Sequence, residues 1–250
     1  MESKNPFFRT KTFSNTSSAN NYVNVIDYSE SMTVSGTINK SFILLMLLVA
    51  SAFGTWTLAY SGYNPMVLVL GGAIIGMILV LVSTFKPHLS TYLAPAYALF
   101  EGLFIGGISA IFEVMYPGIV IQAVGATFVT FLVCFVLYKY QIVQVTEKFK
   151  SVVIAATLAI GVYYLISWML TMFTSFQPVH YGNSMMSIGV SVFVIVIAAL
   201  NLFLDFDQIE KGAEQKMPKY MEWYGAMGLM ITLVWLYIEF LRLLSKLNRK

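Results

Sequence analysis

The chain is short of charge. Lysine, arginine, aspartate and glutamate make up 11% of its 250 residues, where a soluble domain carries about 25%. Hydrophobic residues make up 58%, so many side chains have no reason to face water. A single cysteine, Cys134, rules out an internal disulfide framework or a thiolate cluster. Two histidines, His88 and His180, fall in expected loops on opposite sides, which argues against a histidine metal centre. A formal net charge of +3, scattered at segment ends, does not make a nucleic-acid groove. No H-E-x-x-H, G-x-S-x-G or Walker motif occurs, so no enzymatic activity and no cofactor are expected. The first 30 residues hold no apolar core, so no secretory signal is expected either.

What the chain does have is long apolar runs. A bilayer core takes about 20 apolar residues per helix. Seven runs qualify, roughly 41–60, 66–85, 94–114, 118–138, 151–173, 185–206 and 224–245. Asn64-Pro65, Lys86-Pro87, Tyr116-Pro117-Gly118 and Gln177-Pro178 punctuate four of the turns. Pro95 falls at the expected start of the third span, where a missing N–H does no harm. The runs are continuous rather than alternating, which excludes a β-barrel. The expected fold class is therefore all-α, a polytopic membrane protein with seven transmembrane helices. Residues 1–37 read as a polar, mobile cytoplasmic tail and 38–250 as the transmembrane domain. Within the third span Ala94, Ala98, Gly102, Gly106 and Ala110 recur at every fourth position. Such a ridge of small residues lets helix backbones approach closely; Gly72 and Gly76 repeat it in the second span.

Lysine and arginine set the orientation. They occupy the N-terminal tail (Lys4, Arg9, Lys11, Lys40) and the loops after spans two (Lys86), four (Lys139, Lys148, Lys150) and six (Lys211, Lys216, Lys219). The three alternate loops have none. The N-terminus is expected in the cytoplasm, and a bacterial cytoplasmic (inner) membrane is the expected location. The C-terminal Arg242, Lys246, Arg249 and Lys250 are the misfit.

Few ionisable groups lie within the spans, where such groups are costly and mark function. Glu101 is central in span three and reads equally as interhelical glue or as part of an ion path. Glu239, inside span seven, either pairs locally with Arg242 three residues on or faces inward. Asp205 shares a helix face with Asn201 and Gln208, a polar stripe that starts inside the membrane. It reads as an inward site. Asp207 points toward Lys211 and Glu210 and reads as a solvated helix end.

The stretch LNLFLDFDQIE, 200–210, resembles the sixth helix of the Bax inhibitor-1 family of transmembrane Bax inhibitor motif proteins. Its core is Leu204-Asp205-Phe206-Asp207-Gln208-Ile209, and Asn183-Ser184-Met185-Met186 matches the family's entry into that helix. The stretch WLYIEFLRLL, 235–244, resembles the seventh helix, with Glu239 where the family has Asp. The likeness covers roughly 40–250 and points to a divergent bacterial branch.

The resemblance implies six helices around a central seventh, and a pH-sensitive calcium leak. It also implies an acidic latch of Asp205 and Glu239 sharing a proton, both being candidate Ca²⁺ ligands. Asn201, Asp207, Gln208, Glu101 and Arg242 are its possible supporting groups, and Lys86 is the nearest candidate for a basic partner. Glu239 lies about 15 residues into its span, roughly 22 Å along a helix. The two acids therefore meet only if the last helix begins well before its oily part, near Pro218. The expected partners are the lipid bilayer, Ca²⁺ or H⁺, and other membrane proteins, with no nucleic acid. The alternative reading is a membrane-embedded regulator or interaction protein that conducts no ion.

Overall fold

A computed structural model describes residues 31–175 and 177–248. Among the described residues seven helices follow one another: α1 (Val34–Tyr60), α2 (Met66–Phe85), α3 (Ser90–Met115), α4 (Ile119–Lys139), α5 (Glu147–Phe173), α6 (Met185–Glu214) and α7 (Met221–Asn248), with a 3-10 turn at Pro87–Leu89 before α3. All seven are long and apolar enough to cross a membrane. Their outer faces are apolar as well as long. Phe42, Phe53, Val67, Phe85 and Phe173 are each more than 60% exposed. Lipid, not water, suits such a surface, and a helix satisfies its own backbone there.

Several helices outrun the oil that located them. α1 begins at Val34, so residues 34–37 of the expected tail are helical; residues 1–30 lie outside the described residues. The extra turns start on polar caps. Thr33 accepts from the Gly36 N–H, Thr146 from Phe149 and Ser184 from Ser187, each satisfying a donor the first turn leaves open. α3 begins at Ser90, so Pro95 is not at its start but inside it. The helix there lacks the bond that a residue-95 N–H would give to the Thr91 carbonyl.

The small-residue ridge of α3 is the tightest seam. A Cβ on Gly106 would lie 2.2 Å from the Ala52 carbonyl oxygen of α1, and one on Gly102 would lie 2.5 Å from that of Leu48. On the other flank, a Cβ on Gly72 of α2 would lie 2.5 Å from the Phe100 oxygen of α3. Only glycine admits these approaches.

α7 is the innermost helix. It packs against α1, α3, α4 and α6, and Leu236, Glu239, Leu241 and Ala226 are essentially inaccessible. α2 and α5 stand further out, on α3 and α6 respectively.

The start of α7 is fastened to the start of α1. The Met32 N–H donates to the Met217 carbonyl at 2.7 Å, and Ser31 bridges Pro218. The buried Glu222 carboxylate accepts from the Thr33 N–H and hydroxyl, each at 2.9 Å, and pairs with Lys40. Lys40 also lies over the Trp223 ring. Ser31, Met32 and Thr33 belong to the segment that reads as a mobile tail, yet here they join Glu222 in a largely buried clasp.

Candidate cation site and polar seam

Asp205 sits on the inner face of α6, nine residues before that helix ends. The connection 215–220 is short, so α6 and α7 run antiparallel in a register set by their shared end. Nine residues into α7 is Met230, and the groups nearest the Asp205 carboxylate flank it. The Thr232 hydroxyl lies against it, and a Cβ on Gly228 would be 4.0 Å from its Oδ1. Oδ2 is buried with no hydrogen-bond partner among the described residues.

Glu239 lies seven residues beyond Thr232, about 10 Å further along the helix. It is 1% exposed. Its Oε1 accepts from Arg242 at 2.9 Å and from the Tyr164 hydroxyl of α5 at 3.3 Å, and the guanidinium stacks over the Tyr164 ring. Its Oε2 is buried and unpartnered among the described residues. The helix does begin near Pro218, as the latch required, yet the two acids do not meet. The hairpin register, rather than the depth of the oil, decides what faces what. Asp205 and Glu239 therefore do not form one shared-proton pair or one metal site. Both readings of Glu239 hold at once: the local pair with Arg242 forms, and the carboxylate faces inward to Tyr164 of α5.

Two cavities meet at Asp205. One, of about 120 Å³, lies on the α2 side, walled by Ser83, Thr84, Asp205, Gln208 and Tyr224. The other, of about 490 Å³, lies on the α5 side and holds Lys150, Asn201, Asp205, Asp207, Gln208 and Lys211. Gln208 reaches both. Asp207 is 9% exposed and salt-bridged to Lys150 and Lys211, each at 2.9 Å. It is a buried tie between α5 and α6, not a solvated helix end. Glu101 lines neither cavity; it rests between α2 and α3, where its Oε2 would be 3.0 Å from a Cβ on Gly76. Lys86 is exposed at the end of α2 and lines neither cavity. Among the described residues no three His, Cys, Asp or Glu converge on one point.

From Asp205 a polar seam continues along α5, α6 and α7. Asn201 donates to the Thr157 hydroxyl of α5 at 2.8 Å. Two turns on stand Tyr164, Glu239 and Arg242. Beyond them Lys246 of α7 is buried, donating to the Ser191 hydroxyl at 2.7 Å and the Ser187 carbonyl at 3.0 Å. This C-terminal lysine is thus buried between α7 and α6. Between the Asn201 and Glu239 levels the seam is shut by Ile160, Val194 and Ile197, with Trp235 and Tyr164 against them.

His180 closes the far end of the seam. It lies in the α5–α6 loop, its Nδ1 3.0 Å from the Tyr163 hydroxyl and its ring 5.0 Å from that of Tyr164. Burial pushes its pKa below the ordinary value, and the nearby Arg242 and Lys246 charges push it further. Thr157 and Tyr164 escape a reading of charge alone. The signal was their spacing, since Thr157 and Tyr164 stand two turns apart on one face of α5.

A family model described as Bax inhibitor 1 like matches residues 5–249. The chain belongs to that family. No curated protein matches the chain. Membership in the Bax inhibitor 1 like family agrees with the two helix-end motifs and with a multi-pass membrane protein whose last helix is central.

Proposed function

We propose that the protein is a cation leak of the cytoplasmic membrane, with Ca²⁺ as cargo and the lysine-rich end of the bundle inside. One observation carries this reading: the Asp205 carboxylate oxygen that is buried, unpartnered and set where two cavities meet. An uncompensated carboxylate away from water is expensive. A hard cation with oxygen ligands is its natural complement, and Thr232, Gln208, Ser83 and Tyr224 supply oxygens nearby. The seam beyond is polar in tiers and shut by Ile160, Val194 and Ile197, which is the form of a path at rest.

Protons compete for the same oxygen. Around Asp205 the titratable and charged groups are Lys150 of α5, Asp207 and Lys211 of α6, and Tyr224 of α7. Both lysines already engage Asp207, so Asp205 is left to bind a proton or a cation. Acid then empties the site of metal, and flux rises with pH. The test is Ca²⁺ uptake into liposomes holding the purified protein. Asp205→Asn is expected to lower uptake on the order of tenfold, the equivalent of about 1.4 kcal/mol, and to flatten its pH dependence. Wild-type uptake in the Asn variant would overturn the reading.

A further inference from the structure

Between α1 and α4 the bundle is open. Both helices pack on α7, but they form no packed seam with each other. The gap is an apolar groove of about 530 Å³, where Phe42 and Leu45 of α1 face Phe128 and Phe135 of α4 over a floor of Met230 and Leu233. A second cavity of about 280 Å³ shares Leu45, Phe128, Met230 and Leu233 with it, so the groove continues deeper along α7. The mouth at the other end is polar. Lys139 and Gln141 stand there with Tyr138 and Glu210. The Tyr138 hydroxyl donates to the Glu210 carboxylate, whereas Lys139 is exposed with no salt-bridge partner among the described residues.

We propose that this groove is a lipid site, holding one acyl chain of an anionic phospholipid against α7 with the headgroup at Lys139. Four features of the groove select this occupant. First, it opens sideways into the bilayer, where acyl chains are the surrounding solvent and a void would forfeit dispersion contacts. Second, its size suits a small molecule, since its volume falls within the range of about 300–1,000 Å³ typical of ligand pockets. Third, the larger cavity by itself, without its deeper continuation, fits one leaflet. From Phe128 to Lys139 is eleven residues, roughly 16 Å of helix, about half of a 30 Å hydrocarbon core. Fourth, its polar end offers a cation at headgroup height, and Lys near the surface of an anionic leaflet is attracted to it. The site is independent of Asp205 and of ion conduction.

Native mass spectrometry of the detergent-purified protein tests the assignment, titrating phosphatidylglycerol against phosphatidylcholine of equal chain length. Phosphatidylglycerol should be retained about fivefold better, the worth of one surface lysine. Lys139→Gln should bring the two lipids to parity, and Leu45→Trp, which fills the groove, should remove both. Equal retention by the wild-type protein overturns the proposal, as does a folded Leu45→Trp that still carries lipid. A second measurement needs no variant. Phosphatidylglycerol with a photoreactive acyl chain should label the Phe42, Phe128 and Met230 peptides above exposed Val67 and Phe173. Uniform labelling of all outer faces, or a dimer joined through α1 and α4, overturns the proposal too.

Discussion

The acids show how far a residue can be read from its neighbours in sequence. That Asp205 faces inward was legible, because Asn201 and Gln208 extend its stripe. Its separation from Glu239 was not, because register depends on where the polar ends of α6 and α7 fall, and hydropathy is blind to those ends. If the two acids are separate, their effects should add. Sites more than about 7–10 Å apart behave independently within a few tenths of a kcal/mol. In liposome flux, Glu239→Gln should leave the pH dependence set by Asp205 in place, and the double variant should show the product of the two single effects. Glu222 makes a second case. Its carboxylate is 1% exposed and Lys40 is its cation. Glu222→Gln strands that lysine, and breaking a buried pair costs about 3–5 kcal/mol. A clear drop in melting temperature in detergent is expected, with partial recovery on adding Lys40→Met. His180 gives a pH effect of known sign. Its folded pKa lies below the unfolded value of about 6.5, so the folded state binds the proton less well. Stability is full above that value and falls as pH drops below it. Melting at pH 7.5 and 5.5 should differ, and His180→Gln should narrow the difference.

At the level of the element, every span was visible as oil and only some ends were placed. α2 came out as read because Asn64-Pro65 and Lys86-Pro87 bracket it. α1, α5 and α6 came out longer, since their polar turns carry no hydrophobic signal and show only as caps. The α3 ridge was legible because close packing in lipid demands small residues at a helical period. Gly106→Val should therefore force α1 and α3 apart. Overpacking of this kind costs about 1–3 kcal/mol, read as a lower melting temperature, while Gly125→Val, with nothing within 4 Å of its Cβ, should melt like the wild type. The shut part of the seam makes the opposite prediction. Trimming Ile197 to Ala removes part of the Ile160–Val194–Ile197 block, and resting Ca²⁺ leak should rise even at a pH that quiets the wild type.

For the whole molecule, seven alternating helices place the two ends of the described chain on opposite sides. With Cys134 replaced by alanine, single cysteines at Gln144 and Lys216 should react with a membrane-impermeant thiol reagent from one side, and those at Ser61 and Asn183 only from the other. Labelling of all four from one side would refute the seven-span topology. The order of assembly follows from the place of α7. Chains leave the ribosome from the N-terminus onward, so α7, on which α1, α3, α4 and α6 pack, emerges after all four of them. Until it is released, α1 to α6 surround a gap, with Glu222 not yet there to meet Lys40 and Lys246 not yet there to meet Ser191. The nascent protein must wait, unfinished, for its own keystone, and a stop codon just before Met221 would leave a ring with nothing to close around.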